Sequence, residues 1–117
     1  MQLNPIGVAI IALAAATGAM AASTDQPAQL SLTLQNHRFT PAALVAPAGR
    51  KIHIVLTNLD NAAEEFDSSD LHVEEDVTPK SHTDFTVGPL RPGVYHFIGE
   101  AHAATAQGRI TVTGGGQ

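Results

Sequence analysis

The sequence predicts an all-β protein, a Greek-key β-sandwich or barrel of about seven short strands. Three observations carry this. Apolar residues recur with period two, so alternate side chains face a common core. Turn-forming residues break the pattern about every ten positions. No stretch keeps a helical period for longer than a single turn.

Taken in order, Leu30, Leu32 and Leu34 alternate with polar residues and define a first strand. Phe39 and the stretch from Pro41 to Pro47 give a second, interrupted one. Ile52, Ile54 and Leu56 alternate with His53, Val55 and Thr57 in a third, ended by Asn58 and Asp60. Leu71, Val73 and Val77 mark a weaker fourth. Thr83, Phe85 and Val87 make a fifth, stopped by Gly88-Pro89. After the Arg91-Pro92-Gly93 turn, Tyr95 and Phe97 face one way in a sixth. Ile110 and Val112 close the chain in a seventh.

The ends read differently. Residues 1–21 hold no charged residue and no histidine. Their apolar run at 6–16 has the length of a signal-peptide core and is short for a bilayer span. Ala19-Met20-Ala21 then supplies a small-x-small cleavage pattern. The expectation is export to the periplasm with 1–21 removed, leaving no membrane span. Residues 22–29 read as a linker, 30–113 as the domain and 114–117 as a glycine-rich tail.

Lys and Arg number 6 against 11 Asp and Glu, a net charge of −5 that argues against nucleic acid as a partner. Cysteine is absent, which excludes disulfides, thiolate metal sites and cysteine nucleophiles. Serine-nucleophile, phosphate-loop and HExxH patterns are missing too, so hydrolase and nucleotide chemistry have no foothold.

Two features carry chemistry. Glu64, Glu65, Asp67, Asp70, Glu74, Glu75 and Asp76 crowd one segment with no Lys or Arg, and His72 among them. On a strand, Asp70, His72 and Glu74 would share a face. Carboxylates that close persist because water screens them or because a cation sits among them. The second feature is Glu100-Ala-His102, just after the sixth strand, where a carboxylate and an imidazole can converge on one ion. Oxygen and nitrogen donors without thiolate suit Fe(II), Mn(II), Cu(II) or Zn(II). His37, His53, His82 and His96 have no comparable partner nearby in sequence.

The run from Pro92 to His102, PGVYHFIGEAH, resembles the strand-and-loop ending of cupredoxins. The segment Gln107–Val112 resembles their final strand, and Asn58-Leu59-Asp60 with Glu64-Glu65-Phe66 resembles the turn carrying their first copper ligand. The resemblance implies a cupredoxin-like fold over about residues 30–113. It places His102 on the C-terminal histidine ligand, Glu64 or Glu65 on the first histidine, and Ala106 or Gln107 on the axial position. Gly99 falls where the copper thiolate belongs, so blue copper is excluded. EEFDS, VGPLRPGVYHF and GEAHAATAQG resemble the cysteine-free periplasmic subunits of bacterial ferrous-iron uptake systems.

That resemblance implies a periplasmic metal-binding protein for copper or iron, with ferroxidase activity and a membrane iron permease, or another periplasmic component, as partner. Glu64 or Glu65 and Glu100 would be carboxylate ligands, His102 the nitrogen ligand, and His72 or Glu74 a peripheral entry site. Two further readings remain open: a copper carrier without redox turnover, and a metal-free binding module on a cupredoxin fold.

Overall fold

The structure, a computed structural model, describes residues 26–114. The signal-peptide expectation for 1–21 lies outside the described residues. Nine strands run in chain order: β1 Ala28–Gln35, β2 Arg38–Thr40, β3 Ala43–Pro47, β4 Ile52–Asn58, β5 Glu64–Ser68, β6 Val73–Val77, β7 His82–Val87, β8 Gly93–Gly99 and β9 Gln107–Thr113. A single 3-10 turn, Glu100–His102, follows β8. Among the described residues, no helix is long and apolar enough to cross a membrane.

The strands form two sheets, ordered β2-β1-β4-β7 and β3-β9-β8-β5-β6. The expected all-β sandwich is present, with two more strands than expected. The interrupted second strand is two separate strands, because Pro41 and Ala42 carry the chain from one sheet to the other. The second addition is β5, whose polar sequence hid its alternation: Glu64, Phe66 and Ser68 are buried and Glu65 and Asp67 are not. Strand β1 begins at Ala28, so the last two residues of the expected 22–29 linker belong to the sheet.

Between the sheets the inward residues interlock. Leu32, Leu34, Ile52, Ile54 and Leu56 face Phe66, Phe97, Ile110 and Val112, each no more than 2% exposed. All four phenylalanines of the chain meet at Phe66 or Phe97. The ring centroids of Phe66 and Phe97 lie 4.8 Å apart and those of Phe39 and Phe97 5.1 Å apart. Burial of such rings is the largest single contribution per residue to a core of this size, with edge-to-face pairs adding roughly 0.5–1.5 kcal/mol each. Gly108 has no side chain because the Phe97 ring occupies the place a Cβ would take.

At the end of β5 the ladder to β8 is continued by side chains. Backbone pairing stops at Asp67↔Ile98. Beyond it, the Ser68 hydroxyl donates to the His96 carbonyl at 2.6 Å, and the His96 N–H donates to Asp70 at 2.8 Å. Asp70 and His72 therefore sit in the β5–β6 turn, His72 with φ 59°. The expected shared strand face of Asp70, His72 and Glu74 does not form, since β6 starts only at Val73.

Candidate metal centre

Four segments meet at one end of the sandwich: the β1–β2 turn, the β4–β5 loop, the 3-10 turn after β8, and the lead into β9. Asn58, fully buried at the end of β4, fixes the second of these. Its side-chain amide donates to the Ala62 and Thr78 carbonyls, and its oxygen accepts the Asp60 N–H. The loop is thereby turned so that Asp60 points at the β1–β2 hairpin.

That hairpin has two central residues, Asn36 and His37, both left-handed at φ 56° and 59°. Such a two-residue turn matches the twist of its strands, and asparagine and histidine tolerate the conformation better than most side chains. Asp60 accepts both of their N–H groups, at 2.7 and 2.9 Å. The His37 backbone N–H above all holds the Asp60 carboxyl below its ordinary value, opposed in part by desolvation.

Glu64 opens β5 facing inward, its side chain only 1% exposed. A buried carboxylate is costly unless its oxygens are paired. Here Oε1 accepts the N–H groups of Ala101 at 2.7 Å and Glu65 at 2.8 Å, and Oε2 lies 3.0 Å from His102 Nδ1. A carboxylate oxygen accepts, so in this hydrogen bond His102 donates from Nδ1, and Nε2 is the ring nitrogen left outside it. The His102 ring is in turn stacked on His37, with centroids 3.7 Å apart and planes 13° apart.

Gly99 completes the interior. A Cβ there would stand 2.7 Å from the Glu64 carboxyl carbon and 2.8 Å from the Ala106 Cβ. The Glu64 carboxylate thus fills the space beside position 99, and Ala106, fully buried just before β9, closes it. Gln107 turns outward and donates to the Ala103 carbonyl.

Glu65 faces the opposite way and meets Glu100 on the outer surface. Its carboxyl is pushed up to about 7, first by a hydrogen bond with Glu100, then by partial loss of water and by the charges of Glu100, Glu74 and Asp76. Asp76 lies directly across the ladder from Glu65, and Glu74 across from Asp67. One proton shared by two carboxyls occupies a place that a cation can take.

The structure therefore divides the residues singled out from sequence. Glu64 and His102 join inside; Glu65 and Glu100 join outside, with Glu74 beside them; His72 stands apart in its turn. Among the described residues, no three His, Asp or Glu side chains converge as they stand on one point suited to a metal ion. Sequence reasoning passed over His37 and Asp60, whose only linear signal is a two-residue turn and a loop aspartate. Their meeting with His102 is a product of the fold.

Comparison with known proteins agrees with this fold. Residues 7–112 match the cupredoxin-like domain family. The chain belongs to that family. An uncharacterised protein of Rickettsia prowazekii (strain Madrid E) is 37% identical over 90 residues, spanning 77% of this chain and 72% of that protein. Among solved structures, dithionite-reduced auracyanin of Roseiflexus castenholzii superposes with a TM-score of 0.64 at 17% identity, covering 80% of this chain and 100% of auracyanin. The metal-binding domain of the Cu(I)-exporting P-type ATPase CopA of Streptococcus pneumoniae D39, solved with Cu(I), gives 0.65 at 15% identity, over 74% of this chain and 85% of that one. At these identities the likeness is one of fold.

The thiolate copper centre of cupredoxins does not fit this chain. It needs a cysteine, of which the chain has none, and at position 99, where the resemblance puts it, the Glu64 carboxylate already stands where a side chain would begin. The donors that remain are oxygen and imidazole nitrogen.

Proposed function

We propose that this protein binds a divalent metal ion, copper or iron, at the loop end of its sandwich. The observation that carries the reading is the Glu64–His102 hydrogen bond. Metal-bound histidines characteristically donate their second ring N–H to a carboxylate, which fixes the tautomer and aims the free nitrogen at the ion. Glu64 orients His102 in this way and is itself too well paired to serve as a ligand. His102 supplies the nitrogen at the loop end; the Glu65–Glu100 pair, on the outer face of β5, offers oxygen donors as a second place for a cation, with Glu74 adding negative field and His72 marking a peripheral approach.

In this reading the protein is exported, loses residues 1–21 and works in the periplasm in ferrous-iron uptake, handing iron to a membrane permease. Anionic oxygen donors stabilise Fe(III) over Fe(II), which favours ferroxidase turnover. The CopA metal-binding domain, solved with Cu(I), supports a second reading, a copper carrier without turnover. Oxygen consumption with Fe(II) separates the two.

Calorimetric titration with Cu(II), and anaerobically with Fe(II), tests the site. His102→Ala should weaken binding by at least about 10–100-fold. His53→Ala should not, because His53 is held on the far sheet by Asp84 and Gln29. Equal affinity in the parent and His102→Ala would end the proposal.

A further inference from the structure

We infer that His37 is a second nitrogen ligand at this centre, so that the ion is held between the Nε2 atoms of His37 and His102. The inference rests on the metal-binding reading above and adds a residue that no sequence pattern connects to it.

Both imidazoles have a carboxylate beside Nδ1. His102 presents Nδ1 to Glu64 at 3.0 Å, and His37 presents Nδ1 to Asp60 at 3.4 Å. Asp60 is held in place by accepting the N–H groups of Asn36 and His37. In each ring the carboxylate lies on the Nδ1 side, so Nε2 is the nitrogen on the side away from it. The side chains are 44% and 30% exposed, so both rings are open in part to solvent and to an ion. A further bond holds the two segments together: the Thr105 hydroxyl donates to the His37 carbonyl at 2.7 Å, with the His102 carbonyl 3.3 Å away.

An ion lies in the plane of each imidazole it binds, at about 2.0–2.1 Å from nitrogen. Rings 3.7 Å apart and nearly parallel cannot share such an ion, so one of them must swing on binding. His37 is the mobile partner. It stands at the tip of a hairpin, more exposed and more loosely held to its carboxylate, whereas a buried Glu64 pins His102. Two imidazoles completed by water or carboxylate select a borderline divalent ion such as Cu(II), Zn(II), Ni(II) or Fe(II) over Mg²⁺ or Ca²⁺.

The test is Cu(II) titration with electron paramagnetic resonance on the parent, His37→Asn and His102→Ala, each checked for folding by thermal unfolding. Asparagine is chosen because it tolerates the left-handed backbone at position 37. The expected result is nitrogen hyperfine structure from two imidazoles in the parent and one in His37→Asn, with affinity reduced on the order of 10–100-fold or more in that variant. If His37→Asn keeps the parental affinity and spectrum while His102→Ala loses binding, the His37 inference is overturned and the metal-binding reading stands. If the parent binds neither Cu(II) nor, anaerobically, Fe(II), or neither variant alters binding, both are overturned.

Discussion

Gly99 and Glu64 are two halves of one arrangement. The carboxylate sits where a side chain at position 99 would start, so each residue constrains the other. Gly99→Ala should therefore destabilise the fold by about 1–3 kcal/mol, the usual size of an overpacking penalty. Urea denaturation should report it as a lower midpoint with an unchanged slope. Glu64→Gln tests the other half. A neutral amide can still accept from Ala101, but it loses charge-assisted bonds worth roughly 1.5–3 kcal/mol each. It also stops fixing the His102 tautomer, so Cu(II) affinity should fall on the order of 10–100-fold while His102 itself is intact.

At the level of elements, β5 is the strand on which the site turns. Its alternation sends Glu64 to His102 and Glu65 to Glu100, one residue apart and on opposite faces of the sheet. The choice between Glu64 and Glu65 is thus a matter of strand register, which the pairing Phe66↔Gly99 fixes. Side chains secure that register beyond the ladder. Ser68 donates to the His96 carbonyl and accepts the Leu71 N–H at 3.0 Å, so Ser68→Ala leaves two backbone groups unpaired. The expected cost is about 1–3 kcal/mol. Hydrogen exchange should show faster exchange at Leu71 than in the parent, with the β1–β4 amides unchanged.

For the whole molecule, the acidic face makes stability depend on pH in a stated direction. The folded value of Glu65, about 7, lies above its ordinary 4.5. Sharing its proton with Glu100 thus contributes stability fully below pH 4.5 and loses it as pH rises to about 7. Asp60 and Asp70 act oppositely, since backbone N–H groups hold both below their ordinary 3.8. Their contribution is present above that value and disappears as pH falls through the lowered ones. Thermal midpoints of the parent and Glu65→Gln should therefore diverge between pH 4.5 and 7 and run parallel outside that window. Parallel curves throughout would refute the shared proton.

Much of the molecule was legible in sequence because period-two alternation reports directly which side of a strand meets the core. Leu30 to Leu34, Ile52 to Leu56 and Tyr95 to Phe97 disclosed their strands on that ground alone. The absence of cysteine excluded thiolate copper chemistry without reference to any coordinates. Strand β5 escaped because its inward positions include a glutamate and a serine, whose burial is satisfied by partners distant in the chain. Only the tertiary structure could bring His37 onto His102 and Asp60 under His37, since hydrogen bonds and ring contacts between separate loops leave no periodic trace in sequence. The sandwich follows from local patterning; the site follows from which loops the two sheets hold together.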